Sequence, residues 1–282
     1  QVYIGNMKPE DLEKYDQPWY DKPLEDASRD GKFGEMMPED EFIGLVKISD
    51  AFDLVKLTEE FTEDVRAKLE EHPLMNEELL ARIKKGDELA DIEKLVEEQG
   101  AEAIYYQNEL VGCVKRGHDV DVNLSAHVLF ENLVCKASGV LAGLNLVAKN
   151  DFNPDDVDYI IECSEEACGD MNQRGGGNFA KSIAELAGFT NATGSDTRGF
   201  CAAPAHALVL AASLVQAGTF KNVVVISGGS TAKLGMNGKN HVGKDMPILE
   251  DVIGGFAVLV SENDGVNPVL RTDLVGKHNV GT

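Results

Sequence analysis

DTRGFCAAPAHALVLAASLVQAG, residues 196–218, is a polar connection that turns into a helix built almost wholly of Ala, Leu and Val. One cysteine, Cys201, stands at the junction rather than in the helix body. A helix that is apolar on every side is predicted to be buried between layers. The flanking segments are of the kind that supplies such layers. VDYIIEC (157–163), NVVVISGG (222–229) and GGFAVLVSEN (254–263) are short continuous apolar runs, the pattern of buried strands. NLVCKASGVLAGLNLVAKN (132–150) and NFAKSIAELAG (178–188) read as helices, the second with a glycine stop. Strands alternating with helices predict an α/β fold whose sheet is covered on both faces. With the apolar helix between two sheets, the expected arrangement has five layers.

Upstream the character changes. Residues 1 to about 50 read as irregular and acidic, with QPWYDKP (17–23) and GKFGEMMPEDEF (31–42) as their Pro/Gly-rich and aromatic parts. The single tryptophan, Trp19, beside Tyr20, suits either an anchor on another surface or a small local cluster. From about 51 to 99 the pattern is helical. LTEEFTEDVRAKLEEH (57–72) repeats Leu57, Phe61, Val65 and Leu69 at four-residue intervals, one face of a helix. NEELLARIKKG (76–86) and DELADIEKLVEEQG (87–100) read as two more, the last stopped by Gly100. The Glu/Lys runs are solvated faces.

Charge narrows the functional classes. The chain of 282 residues carries 49 acidic and 26 basic side chains, a net −23. The first hundred residues hold 28 of those acids against 13 bases, so the acidity is concentrated there. Such a surface repels nucleic-acid phosphates and anionic lipid. No apolar run reaches the roughly 18 residues of a membrane span. The five cysteines (Cys113, Cys135, Cys163, Cys168 and Cys201) are odd in number and do not form a dense disulfide framework, which predicts reduced thiols in a cytoplasm.

Cys201 is the first candidate for chemistry. A helix start leaves backbone N–H groups unpaired and carries about half a positive charge. A thiolate placed there has its pKa drawn from about 8.5 down to roughly 3.5–7.5, against the opposing effect of burial. Ala202, Ala203 and Ala205 are small and leave room above the sulfur for a flat acyl group. Pro204 falls in the first turn, where its missing N–H costs little. Amides near the sulfur, those of Ala202 and Ala203 included, suit the oxyanion of a thioester reaction. Arg198 either lowers the thiol pKa or pairs with Asp196, and the pairing is favoured. Position alone leaves an inert buried cysteine open beside the nucleophile.

Several other residues are lesser candidates. Cys163, at the end of the VDYII run, is a possible secondary thiol, since sites form where parallel strands end. Cys163 and Cys168 lack the spacing of a redox or zinc pair. His206 lies about 140° around the helix from Cys201 and is expected to be buried and hydrogen-bonded rather than a base. His118 and His241 are loop residues without neighbouring ligands, so no metal site is expected. NQRGGGN (172–178) leads straight into a helix, so its Gly175, Gly176 and Gly177 suit either an anion nest or a plain turn. The segment lacks the Lys-Ser/Thr of a P-loop. SGGST and GMNGKNHVGK, within 227–244, are read as a loop over the site or a surface excursion.

The order of these segments, from NLVCKASGVLAGLNLVAKNDFNPDDVDYIIECSEEA through GFCAAPAHALVLAASLVQAG to GGFAVLVSENDG, resembles the first half of the thiolase fold. The nearest comparison is with type III ketosynthases acting on acyl-carrier protein. The resemblance runs over roughly 125–266 and lies in segment order and cysteine context. VYIGN (2–6), PWYDK (18–22), GKFGEMMPEDEF and EEACGDMNQRGGGN (165–178) carry a narrower likeness over nearly the whole chain. They resemble the β subunits of component C of the glycine/sarcosine/betaine reductase complex.

That resemblance implies an acyl-transfer subunit. A selenoprotein component, component A, delivers a two-carbon unit on selenocysteine. Component C converts it to an enzyme-bound acetyl thioester, and inorganic phosphate cleaves the thioester to acetyl phosphate. Cys201 is then the acyl-accepting thiol, no bound metal or organic cofactor is expected, and the partners are the α subunit of component C and component A. A homo-oligomer paired through the thiolase-like dimer surface is expected as well, with Gly175, Gly176 and Gly177 shaping the cleft and a subunit interface. The implied organisation is an acidic, partly helical extension over 1–100, the first half of a thiolase-like domain over 101–266, and the start of a second half over 267–282. Ketosynthases of this type draw a His and an Asn from that second half, and nothing assigns His278 to the role. The alternatives are a condensing ketosynthase and a non-catalytic scaffold subunit.

Overall fold

A computed structural model describes residues 29–31, 34–164, 178–199, 202–229 and 253–276. The first element corrects an expectation. Residues expected to be irregular form helix α1 (Glu39–Ser49), with Glu39, Asp40 and Glu41 in its first turn, where carboxylates suit the helix dipole. Its Leu45, Val46 and Ile48 are buried, so FIGLVKIS is a core segment behind an acidic cap.

The next stretch is also less helical than expected. Strand β1 (Val55–Leu57) leads into helix α2 (Glu59–Glu70), which Thr58 caps by accepting from the Phe61 N–H. Leu57, Phe61, Val65 and Leu69, the stripe read from the sequence, are all buried. NEELLARIKKG contributes only the single turn α3 (Glu77–Leu80). Helix α4 (Leu89–Gln99) ends where Gly100 adopts φ 66°, the left-handed stop expected of it. Strands β2 (Glu102–Tyr106) and β3 (Glu109–Val114) come next, joined by Gln107 and Asn108 at φ 50° and 68°. Two left-handed residues in a row match the right-handed twist of a tight hairpin. These strands and β1 make an antiparallel sheet of order β1-β3-β2 that the sequence reading did not anticipate.

The second sheet holds the predicted strands. Helix α5 (Ala126–Lys149) precedes β4 (Tyr159–Glu162). Helix α6 (Phe179–Ala187) and β5 (Thr193–Asp196) come after it, then α7 (Ala203–Gln216), β6 (Val223–Ser227) and β7 (Phe256–Val260). The order is β5-β4-β6-β7, with β4 parallel to both β5 and β6 and β7 antiparallel to β6. Strand alternation divides the side chains between two faces. Ile160, Val224 and Ile226 enter the core shared with α1, α5 and α6. Ile161, Cys163, Val223 and Val225 pack against Ala203, Ala207 and Ala211 of α7. Ile160 and Ile226 are fully buried, each contributing about 1.5–3 kcal/mol by removal from water.

One continuous core runs from Ile43 in α1 to Ile226 in β6, so the acidic first hundred residues and the second sheet share their packing. The helices meet closely. A Cβ on Gly139 would come within 2.7 Å of Ile183 Cδ1, and one on Gly143 within 2.8 Å of Ala187 Cβ. Glycine at both positions is what lets α5 approach α6 this nearly.

Helix α7 departs from expectation. Among the described residues it buries a stripe of small side chains, while Val209 and Leu210 are 38% and 46% exposed. Alanines on the sheet side let the helix sit close to β4 and β6, Leu208, Leu214 and Val215 pack at its margins, and Val209 and Leu210 point outward. Among the described residues the second sheet is thus covered by α5 and α6 on one face and by α7 on the other. His206, expected to be buried, lies on the exposed side of the same helix.

Candidate functional site

Parallel strands leave their connections at one edge, and sites in such sheets form beyond the strands' C-terminal ends. Here β4 exits through Cys163 and Ser164, β5 through Thr197, Arg198 and Gly199, and β6 through Gly228 and Gly229. The exits are tied together. The Gly228 N–H donates to Ser164 Oγ at 2.8 Å, and the Gly229 N–H donates to Ser138 Oγ of α5 at 2.9 Å. The Cys163 N–H donates to the Ile226 carbonyl at 2.9 Å.

Glu162, the last residue of β4, is the most unusual side chain of this edge. It is 0% exposed, yet its Oε2 lies 2.6 Å from Arg198 Nη1 and its Oε1 accepts from the Ser164 N–H at 2.8 Å. Burial pushes its carboxyl above the ordinary range, and the Arg198 charge and these hydrogen bonds work against that push. Arg198 also donates to the Ser164 carbonyl at 3.2 Å and to Asp196 Oδ2 at 3.4 Å. The expected Arg198–Asp196 pairing is therefore present, but the shorter bond is to Glu162. Asp196 itself accepts from the Phe179 and Ala180 N–H groups at 3.0 and 2.9 Å, closing the start of α6.

Cys201, the leading candidate, and Gly175, Gly176 and Gly177 lie outside the described residues, as do Trp19, Tyr20, Cys168, His241 and His278. The start of α7, directly after Cys201 in the chain, lies within the described residues. The Ala202 N–H donates to the Gly199 carbonyl at 3.1 Å, Ala202 caps α7, and Pro204 sits in the first turn. Ala203 is fully buried and Ala202 half-buried. The first turn of α7 carries no acidic side chain. Cys163 is buried on the α7 side of the sheet, in the same cluster as Ala203, with Sγ 3.5 Å from the Ile226 carbonyl. Among the described residues no three His, Cys, Asp or Glu side chains are grouped to hold a metal, and no helix is long and apolar enough to cross a membrane. A groove of about 1850 Å³ runs along the outer edge of β7 between Phe42, Leu141 and Ala212, and neither Glu162, Arg198 nor Ala202 lines it.

The sequence reading missed Glu162 as a partner of this edge. Its one signal was a lone carboxylate inside the otherwise apolar run VDYIIEC. Ser164 and Ser138, small residues in ordinary positions, offered none.

Comparison with known proteins bears on this edge directly. Residues 195–277 match the family described as 3-oxoacyl-[acyl-carrier-protein (ACP)] synthase III, a segment that contains Cys201 and all of α7. The chain is similar over its whole length to the glycine/sarcosine/betaine reductase complex component C subunit beta of Peptoclostridium acidaminophilum, at 63% identity. The chain spans 55% of that relative's length. Among solved structures it is similar to the priming β-ketosynthase of the R1128 polyketide pathway, with 23% identity, TM-score 0.30 and coverage of 35% of this chain and 28% of that one. A 3-oxoacyl-(acyl carrier protein) synthase III from Pseudomonas aeruginosa PAO1 gives 15% identity and TM-score 0.35, covering 47% of this chain and 38% of that one. The likeness to component C β subunits carried by the N-terminal and glycine-rich motifs thus extends from end to end, and the thiolase-like reading of the cysteine-bearing half coincides with the family match.

Proposed function

We propose that the chain is the acyl-transfer part of a glycine reductase complex, with Cys201 as the thiol that carries the acetyl group. The end-to-end identity with a component C β subunit is the observation that carries this reading. The synthase III match over the Cys201 segment and a first turn of α7 without acidic side chains support it. In this scheme a selenocysteine-bearing component A brings the two-carbon unit as a carboxymethyl selenoether. A second thiol takes the selenium as a Se–S bond, supplying the two electrons that reduce the freed carbon to a methyl group. The carboxyl loses water to the Cys201 thiol, leaving an acetyl thioester. A phosphate oxygen adds to the thioester carbonyl and makes a tetrahedral oxyanion. Of the backbone N–H groups at the start of α7, the Ala203 N–H is the donor for that charge, since the Ala202 N–H is held by the Gly199 carbonyl. The C–S bond then breaks, the electron pair returns to sulfur as thiolate, and acetyl phosphate leaves. The helix end that stabilises a thiolate also makes it the better leaving group. Gly175, Gly176 and Gly177 shape the cleft above it. The chain pairs with itself and with the component C α subunit, and needs phosphate as co-substrate but no metal or organic cofactor of its own.

The test is Cys201→Ala in the full-length subunit within a reconstituted complex, following acetyl phosphate made from glycine and phosphate. Loss of product with intact assembly is expected. Undiminished product would leave the subunit a scaffold. A condensation product from malonyl and acetyl thioesters would instead make it a ketosynthase.

A further inference from the structure

We propose that Glu35 is an acid-released latch. Its carboxylate holds the strap of residues 34–38 against the end of α2 and against α5, and protonation lets the strap leave the groove beside β7. Neither Glu162, Arg198 nor Ala202 lines that groove, so the latch is independent of the acyl-transfer reading.

One side chain ties the strap to the helices. The Glu35 side chain is 6% exposed, and its Oε1 lies 2.6 Å from Nε2 of His72, a ring 1% exposed just after α2. His72 Nδ1 accepts from the Leu74 N–H at 3.2 Å, which leaves the ring proton on Nε2, facing the carboxylate. From α5, Asn145 donates to Glu35 Oε2 at 3.4 Å. Arg29 donates to Glu35 Oε1 at 3.1 Å and is itself clamped by Glu41 of α1 at 2.6 and 2.7 Å. Asp40, beside Glu41, pairs with Lys68 of α2. Two backbone bonds of the strap stay within its own segment. The Met36 N–H donates to the Arg29 carbonyl and the Gly31 N–H to the Gly34 carbonyl, both at 2.9 Å.

Hydrogen bonds to an ionised acceptor are the strong ones, so the latch holds while Glu35 is charged. Burial works against the charged form, but the bonds from His72, Asn145 and Arg29 outweigh it and keep the carboxyl below the usual carboxylate range. The closed strap therefore favours the ionised acid. Its closure is intact above about pH 4.5 and weakens as pH falls through the folded value. Once protonated, the carboxyl no longer balances Arg29. A second proton on His72 has to go onto Nδ1, at the expense of the bond from Leu74. Release bares apolar surface, because the strap lines the groove together with Phe42, Leu141 and Leu146, and its Met37 packs on the core. Of the charged groups on the adjoining helices, Glu39 and Lys149 line the groove as well.

The test is hydrogen–deuterium exchange of the full-length subunit from pH 7 to 3.5, read by peptide mass spectrometry and corrected for the intrinsic rate. A peptide over 34–42 holds the bonded Met36 and Phe42 amides. Its exchange is expected to rise about tenfold or more between pH 6 and 3.5, while the fully buried core strand β6 stays protected. Glu35→Gln removes the charge at every pH and is expected to show the fast exchange already at pH 7, with no further rise until β6 opens. Exchange of 34–42 that stays flat down to pH 3.5 would overturn the latch. Strap and β6 opening in step would overturn it too, since that is global unfolding. So would Glu35→Gln protected like the parent at pH 7. If Glu35→Gln does not fold, the pH profile of the parent protein decides the matter.

Discussion

Glu162 and Asp196 sit side by side in register at the ends of β4 and β5, and the guanidinium of Arg198 bridges the two carboxylates. Two adjacent acids at the end of a parallel pair repel, and one is fully buried. Among the described residues the Arg198 guanidinium and the amide end of α6 answer this repulsion.

Removing the cation is therefore expected to cost stability. Arg198→Met leaves Glu162 buried and uncompensated, which for a fully buried pair costs about 3–5 kcal/mol. With the Arg198 side chain 38% exposed, a loss of about 2–3 kcal/mol is expected instead. The double variant Glu162→Gln/Arg198→Met should lose less than the sum of its single variants. Urea denaturation of all four proteins measures the coupling, and strict additivity would mean the two side chains do not interact.

Gly228 has no room for a side chain. A Cβ there would fall 1.8 Å from the Cys135 carbonyl oxygen and 2.7 Å from Ser138 Oγ, so the β6 exit rests directly on α5. Gly228→Ala is expected to destabilise by more than about 3 kcal/mol or to prevent folding, since backbone is what must move. At Gly254 nothing lies within 4 Å, and Gly254→Ala should change the thermal midpoint by no more than about a degree or two.

Acid should weaken the N-terminal region first. Asp53 loses something to burial, but hydrogen bonds from Lys56 and Lys47 outweigh it and hold its carboxyl down at about 2. Glu35 is likewise opposed by burial and held below the usual carboxylate range by His72, Asn145 and Arg29. Both carboxyls bind protons less readily folded than unfolded, so they stabilise the fold above about pH 4.5 and lose that contribution as pH falls towards 2. The urea midpoint should fall across that window, and less steeply in Asp53→Asn, a residue that also tolerates the φ of 57° found there. An unchanged slope would mean Asp53 plays no part.

The described cysteines should resist alkylation in the native protein. Cys113, Cys135 and Cys163 are all buried, and burial pushes the Cys113 thiol up to about 11. Iodoacetamide at pH 8 is expected to leave all three unmodified until denaturant is added. Rapid native labelling of Cys163 would show that the β4 end opens to solvent.

What could be read from the sequence was what local pattern dictates. The apolar runs around Ile160, Val224 and Val258 became strands, the Leu57–Leu69 stripe became a buried helix face, and Gly100 and Gly188 ended their helices. Each depends on neighbours a few residues away, and periodicity records those. The antiparallel sheet was lost because its strands are short and partly polar, and the hairpin turn is made by Gln107 and Asn108 without a glycine. Helix α1 was lost because its acidic first turn and the preceding Pro and Gly disguised a core segment, FIGLVKIS.

The start of an apolar helix just after Cys201 in the chain was decided by sequence alone, since it needs only local pattern. The Glu162–Arg198 ion pair was not. Glu162 and Arg198 are 36 residues apart, and only the parallel pairing of β4 with β5 brings them together. The outward face of α7 was beyond reach for the same reason. A run of Ala, Leu and Val is equally apolar all round, and tertiary packing alone chose the small alanines to meet the sheet and left Val209 and Leu210 outside.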